Sequence, residues 1–339
     1  MTTKHYCGLD FHKNFTQICV LDSEGKIIDE NRIKTELLYT YLANKNYLIA
    51  LEASGGTFDA ASKLEAYGHE VLLVNPSQFK AIGLNGKKND KRDAKAIATA
   101  LRMGFIPEVR KKTLYSRQLK ALIKSRDFVV KSRTSLICHI RGILREFGQV
   151  MPAGVENFYE QALNKVKDIE CLQIRNTLFI LLEQVGELKT QEEVIEKELK
   201  EITKEDVRIS NLQSIPGVGL LTAVAFVSTI EDAKYFDDAN KVASYLGLVP
   251  REFSSGDKVR FGGITKSGSE ITRRYLIHGA RTYMRYVNRD NKDYTRRWAA
   301  RLKDKSGVNK AVVAVAHKTA KVMYAVMRDG TVYREKKAA

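Results

Sequence analysis

The chain has 339 residues and a formal net charge of +17, a length that holds roughly two domains with proper cores. The charge is uneven: residues 1–86 hold eight Lys/Arg against ten Asp/Glu, so the positive excess begins at Lys87, which predicts a near-neutral domain joined to a body that binds polyanions, nucleic acid foremost. No run of about 18 apolar residues and no signal peptide occurs, which sets a membrane aside and predicts a cytoplasmic protein. Cys7, Cys19, Cys138 and Cys171 form no C-x-x-C pair and the histidines no H-x-x-x-H spacing, which argues against a zinc site and a disulfide framework.

Tyr6–Asp10, Phe15–Leu21 and Ile27–Ile33 read as strands of an antiparallel meander, with a turn at Ser23-Glu24-Gly25. A helix near Glu36–Asn44, a buried strand Tyr47–Leu51, a helix near Phe58–Tyr67 and a strand Glu70–Val74 follow. That order predicts a mixed α/β sheet. Asp10 falls at the carboxyl end of the first strand and Glu52 directly after YLIAL, the ends where ligands gather in such sheets. In KKNDKRDAKAIA (Lys87–Ala98) Asp90 and Asp93 share one helix face. The plainer reading of these two is an N-cap and a first-turn acid. Four carboxylates brought together would repel by several kcal/mol per pair, at an effective dielectric near 20. A cluster of Asp10, Glu52, Asp90 and Asp93 therefore requires cations, and oxygen-only ligands select Mg²⁺ or Mn²⁺. Carboxylate-held metal pairs serve in-line attack at phosphorus.

GLDFHKN around Asp10, LEASGGT around Glu52 and NDKRDAKAIA around Asp90 and Asp93 resemble the N-terminal domain of the DEDD transposases of bacterial insertion sequences. Its fold is similar to RuvC-like Holliday-junction resolvases of the ribonuclease H superfamily. The resemblance implies that the four carboxylates are the metal ligands, ahead of the capping role.

Ser116–Phe147 carries Leu119, Leu122, Val129, Leu136, Ile140, Ile143 and Phe147 at three- and four-residue steps, the period of a long helix. Arg126 and Arg133 interrupt the stripe, and Lys120, Lys124, Lys131, Arg141 and Arg145 add charge of the same sign. A phosphate-tracking surface is expected there, against a merely solvated face. Met151-Pro152 and Gly154 break the helix. Cys171 to Ile202 then repeats on a 3-4 spacing with Glu192 out of pattern, which suits a coiled coil or two helices packed back to back within one chain.

Ser214-Ile215-Pro216-Gly217-Val218-Gly219 before LLTAVAFVS resembles a helix–hairpin–helix motif. Gly217 and Gly219 would there let backbone N–H groups hold a phosphate; an ordinary glycine turn is the alternative. After a helix ending YLGLVP, the segment Arg251–Arg274 is glycine-rich and ringed by Arg251, Lys258, Arg260, Lys266, Arg273 and Arg274. Ser267-Gly-Ser-Glu270 reads as a capping box. By composition Ser255 is part of a Ser-Gly turn. GLVPREFSSG…GGITKSGS…RRYLIHGA, however, resembles the C-terminal transposase domain of the same family, in which the serine before the glycine is the nucleophile. That implies Ser255, next to Gly256, with Ser254 as the neighbouring alternative.

The expected domains are 1–110, RuvC-like; 111–205, basic helix and coiled coil; and 206–339, a mostly helical C-terminal transposase domain. The resemblance implies a bacterial, nucleoid-associated serine recombinase that cuts and rejoins DNA through a phosphoserine intermediate. Its implied partners are donor and target double-stranded DNA, a structured (bridge) guide RNA and further copies of the chain, from dimer to tetramer. Because carboxylates and serine lie in different domains, a composite site is expected. Pilin-gene DNA invertases are a close variant. Two rivals stand beside it: a metal-dependent resolvase using the carboxylates alone, and a nucleic-acid-binding regulator with a vestigial site.

Overall fold

Consecutive buried residues in the first two strands show that the centre of the N-terminal sheet is covered on both faces. A computed structural model describes residues 5–81, 90–154, 157–254, 260–287 and 294–334, and its contacts divide the chain into units 1–112 and 113–339. In the first unit, strands β1 (His5–Phe11), β2 (Phe15–Leu21) and β3 (Ile27–Lys34) form the antiparallel meander. After helix α1 (Leu38–Leu42), β4 (Tyr47–Glu52) runs parallel to β1. Helix α2 (Thr57–Ala66) leads to β5 (Glu70–Val74), parallel to β4; α3 (Pro76–Ala81), α4 (Asp90–Arg102) and the short antiparallel edge β6 (Glu108–Val109) complete the unit. The strand order is β3-β2-β1-β4-β5-β6, the mixed sheet expected from the pattern.

Each strand sends alternate residues to opposite faces. Cys7, Leu9, Ile49 and Leu51 join Leu38, Leu42, Ala61 and Leu64 in a core under α1 and α2. The other face of the sheet meets α4: Ala94 and Ala98 lie against Cys19 and Leu21, and Ile97 and Leu101 against Ala50 and Val74. The even-numbered residues of β1 therefore face α4.

The second unit begins with α5 (Leu114–Glu146), α6 (Phe158–Lys167) and α7 (Leu172–Ile202). Thr113 caps α5 by accepting from the Ser116 N–H. Arg126 meets Glu196 and Arg133 meets Glu192, so α5 and α7 are antiparallel partners within one chain. The tip of this hairpin has its own cluster, including Ile137, Leu144, Phe158, Leu178 and Val185. At the base, Leu119, Ile123 and Leu199 share one core with the following helices, so the apolar packing continues past residue 205. Those helices are α8 (Val207–Gln213), α9 (Leu220–Ile230) and α10 (Ala239–Tyr245). After the hairpin of β7 (Pro250–Glu252) and β8 (Phe261–Ile264) come α11 (Glu270–Met284), α12 (Tyr294–Ser306) and α13 (Val308–Asp329).

Candidate metal centre

Gly8 decides where the acidic residues meet. It sits mid-β1 on the face toward α4, and a Cβ built there would lie 2.2 Å from the Ala94 carbonyl oxygen and 2.5 Å from the Ala98 nitrogen. Only a glycine admits the helix backbone so close to the strand. Asp90 precedes Ala94 by four residues, about 6 Å along a helix. Asp10 follows Gly8 by two, about 6.6 Å along a strand. The contact at Gly8 thus brings the first turn of α4 to the end of β1. Lys91 anchors the same turn through an ion pair with Glu30 of β3 at 2.5 Å.

Asp10, His12 and Asp90 offer ligand atoms that all lie within 4.8 Å of one another. Among the described residues no other three His, Cys, Asp or Glu converge in this way. His12 Nε2 lies 3.2 Å from Asp10 Oδ2, and since a carboxylate oxygen only accepts, the tautomer that makes this hydrogen bond is the one with the proton on Nε2. Burial raises the Asp10 carboxyl above its ordinary range; the charge and hydrogen bond of His12 oppose that rise, and Asp90 and Asp93 add to it by repulsion. Asp93, three residues on along α4, is therefore close enough to act on Asp10 electrostatically. Glu52 stands apart from the triplet. Leu9 is in register with Leu51, so Glu52 is the next residue across from Asp10 on the adjacent parallel strand, on the face toward α4.

The donor set suits a hard divalent ion. Oxygen ligands are those that Mg²⁺ and Mn²⁺ prefer. Asp10 and Asp90 would supply the oxygens, with Asp93 and Glu52 as further carboxylates at the rim. His12 holds one oxygen of Asp10 and so fixes its orientation. Sequence reasoning missed His12 because it searched for histidine pairs; the legible signal was the D-F-H spacing, since residues two apart along an extended chain share a face. A cleft of about 400 Å³ opens beside the triplet, lined by His12, Lys13, Asn14, Phe15, Gln17, Arg32 and Asp90.

Of the C-terminal candidates, only part of the set falls within the described residues. Ser255 and Lys258 lie outside the described residues. The adjacent Ser254 is on the β7–β8 hairpin, where its hydroxyl donates to Glu252 Oε1 at 2.6 Å. Arg251 donates to the Thr265 carbonyl at 3.2 Å, and Arg260 and Lys266 are exposed nearby. The cap of α11 is Ser269, which accepts from Thr272 N–H, two residues after the Ser267 expected there; Ser267 reaches back to the Ser244 carbonyl instead.

Several expected phosphate ligands are engaged inside the unit. Arg126 donates to Glu196 at 2.9 Å, to the Tyr275 hydroxyl at 3.3 Å and also to Glu192, which receives Arg133 at 2.5 Å. Glu192, the residue out of pattern in α7, is thus the partner of the two arginines out of pattern in α5. Arg274 pairs with Asp127. Arg273 is buried and donates to the carbonyls of Leu246 and Ser267. Gly217, at φ +84, packs against the Gly279 backbone of α11, where a Cβ would lie 2.8 Å from the Gly279 carbonyl oxygen. Gly219 has open space around it and precedes α9 without a side-chain cap.

Comparison with known proteins bears on this geometry. A profile of DEDD transposases of the IS110 type matches residues 7–149, which include Asp10, Glu52, Asp90 and Asp93. A second profile, described as the transposase IS116/IS110/IS902 family, matches residues 209–296. The chain is 35% identical over 332 residues to the transposase for insertion sequence element IS1111A of Coxiella burnetii, covering 96% of this chain and 90% of that one. The chain belongs to the IS110/IS116 transposase family. The transposase for insertion sequence element IS1328 of Yersinia enterocolitica is 29% identical, with 96% of this chain and 97% of that one covered. A pilin gene-inverting protein of Moraxella lacunata is 23% identical over similar shares, 96% and 97%. As a transposase of this family the chain is a DNA-binding enzyme that cuts and rejoins DNA, and the DEDD class uses a divalent metal. No described helix is long and apolar enough to cross a membrane.

Proposed function

We propose that this transposase works as a serine recombinase whose carboxylate centre holds Mg²⁺ or Mn²⁺ and whose DNA sites are chosen by a structured guide RNA. The observation that carries the metal part is the convergence of Asp10 and Asp90 beside His12. Asp10 and Asp90 are the proposed first ligands, with Asp93 and Glu52 completing the set. A bound ion would polarise a phosphoryl oxygen and offset charge building on it. His12 holds the Asp10 carboxylate in place. Lys13 and Arg32 line the adjoining cleft and would receive the neighbouring phosphates of the strand.

In the proposed chemistry Ser255 Oγ loses its proton and attacks phosphorus. The P–O3′ bond breaks, the departing 3′ oxygen takes up a proton, and the 5′ phosphate stays on the serine. Attack by an exchanged strand's 3′-hydroxyl reverses the step and frees Ser255, so bond energy is conserved without a nucleotide cofactor. Lys258, Arg251, Arg260 and Lys266 are the proposed contacts to the DNA backbone from the β7–β8 hairpin and the loop after it, and the Gly219 turn before α9 is a separate one. Arg126, Arg133, Arg273 and Arg274 are dropped from the set, because they are buried or half-buried and their guanidinium groups already serve ion pairs and carbonyls within the fold; Arg251 is exposed and keeps donors beyond the one on the Thr265 carbonyl. Delegating sequence choice to base pairing suits a protein that offers mainly charge and shape. Holding donor and target ends together calls for a dimer or tetramer.

A covalent-adduct assay tests the proposal. The chain is co-expressed with its element's flanking non-coding DNA, so that any guide RNA copurifies, then mixed with labelled donor and target duplexes and Mg²⁺ and run under denaturing conditions. A protein–DNA adduct lost in Ser255→Ala and in Asp10→Ala is expected. Mg²⁺-dependent cleavage without an adduct, indifferent to Ser255→Ala, would replace the serine mechanism with direct hydrolysis at the carboxylates.

A further inference from the structure

Arg273 of α11 is only 7% exposed, and its Nη1 alone donates to two carbonyls, that of Leu246 at 3.1 Å and that of Ser267 at 2.7 Å. Leu246 is the C-cap of α10, and the last carbonyls of a helix have no donor of their own. Ser267 belongs to the segment that returns from β8. The same two segments meet backbone to backbone: a Cβ on Gly247 would lie 2.5 Å from the Ser267 nitrogen, and Gly268 packs as tightly on the Tyr245 carbonyl. Thr265 N–H donates to the Val249 carbonyl at 2.9 Å and Lys266 N–H to the Gly247 carbonyl at 3.1 Å. Together these contacts form the base of the β7–β8 hairpin. Beyond that base β7 is exposed throughout and β8 is exposed up to Ile264.

Nothing in α11 itself calls for a cation at this position. Arg273 stands near the start of the helix, where the dipole disfavours positive charge. Burial pushes its pKa down, with the charge of Glu270 opposing. An apolar side chain would occupy the same space without the cost of desolvating a charge. What the arginine adds is one donor group that holds both ends of the hairpin base at once. We infer that Arg273 is a positioning residue for strand cleavage, fixing the hairpin from which the chain runs through Ser254 to Ser255. This role presupposes Ser255 as the nucleophile. Pro250 to Ser254 is about 13 Å of extended chain, so a tilt of about 5° at the base moves Ser254 by about 1 Å. A misplacement of that size at a reacting centre costs on the order of a hundredfold in rate.

The test compares Arg273→Met, which removes the donors, and Arg273→Lys, which keeps a cation on a shorter stem, with Leu178→Ala. Leu178 lies in the separate cluster at the tip of the α5–α7 hairpin, so its truncation lowers stability away from Arg273. Each full-length chain, copurified with its guide RNA, is assayed for duplex affinity without Mg²⁺ and for the single-turnover rate constant of adduct formation with Mg²⁺. Hydrogen exchange follows residues 247–252 and 261–268. For Arg273→Met the rate constant is expected to fall about ten- to a hundredfold, with affinity within about twofold and exchange protection lost at the hairpin base. Arg273→Lys is expected to lose measurably less. Leu178→Ala is expected to lose stability and keep the wild-type rate constant, which separates positioning from a general structural role. Should Arg273→Met fail to fold by circular dichroism, Arg273→Lys carries the test. A wild-type adduct formed at an unchanged rate constant by the folded Arg273 variants overturns the inference alone. So does an equal fall in Leu178→Ala, or a fall matched by lost affinity. No adduct in the wild type removes the serine reading and this role with it.

Discussion

Gly8→Ala should disable the metal centre without touching any carboxylate. The added Cβ would stand 2.2 Å from the Ala94 carbonyl oxygen and 2.5 Å from the Ala98 nitrogen. Both are backbone atoms, so no side chain can swing aside. Restoring an ordinary separation near 3.5 Å requires α4 to retreat by more than about 1 Å, and Asp90 retreats with it. Overpacking of this kind costs about 1–3 kcal/mol, offset by roughly 0.4–1 kcal/mol from the stiffer unfolded chain. A misplacement of about 1 Å at a reacting centre lowers activity on the order of a hundredfold. The assay pairs urea denaturation with Mn²⁺ binding and strand cleavage, and Leu51→Ala serves as the control. That change opens a cavity in the core under α1 and α2 at a cost of about 2–5 kcal/mol, but leaves the β1–α4 contact intact. Gly8→Ala should lose Mn²⁺ affinity while folded, and Leu51→Ala should keep it. Wild-type Mn²⁺ binding by folded Gly8→Ala would refute the reasoning.

Three further outcomes are expected. His12→Ala removes the donor that orients Asp10 and should weaken Mn²⁺ binding by about 10- to 100-fold, read by calorimetry on the full chain. Glu192→Leu would restore the apolar period of α7, yet it strands Arg126 and Arg133 at a half-buried seam; urea denaturation should show destabilisation on the order of 3 kcal/mol rather than a gain. At Asp206 burial pushes the carboxyl up, but hydrogen bonds and charge from Arg208, with a bond from Tyr115, outweigh it and hold the group below its ordinary range. Its folded pKa is the lower one, so its contribution is present above the unfolded value near 4 and is lost as pH falls below it. The acid limb of the stability curve should therefore flatten in Asp206→Asn.

The strands and the acidic positions were legible because both follow from short-range rules. Short apolar runs bounded by turn residues mark β1, β2 and β4, which are buried on both faces, and carboxylates at strand ends and in the first turn of α4 stand out against their surroundings. The partners of Arg126 and Arg133 were not legible. Glu192 lies 59 residues from Arg133, and charge counting treats each helix alone, so a buried network was read as a phosphate surface. The α11 cap slipped for a similar reason: Ser267 and Ser269 both fit a capping pattern, and the close fit of Gly268 against the Tyr245 carbonyl, 2.0 Å from a Cβ position, decides where the helix can begin. His12 shows the reverse case, a local signal present in the sequence but judged by the wrong spacing.

The central claim is that Asp10 and Asp90 jointly hold a divalent ion. Mn²⁺ titration of the full-length chain, followed by electron paramagnetic resonance of the free ion, tests it most directly. Saturable binding is predicted for the wild type, lost in Asp10→Asn and in Asp90→Asn, with folding unchanged by circular dichroism. Wild-type Mn²⁺ uptake in both folded variants would contradict the account.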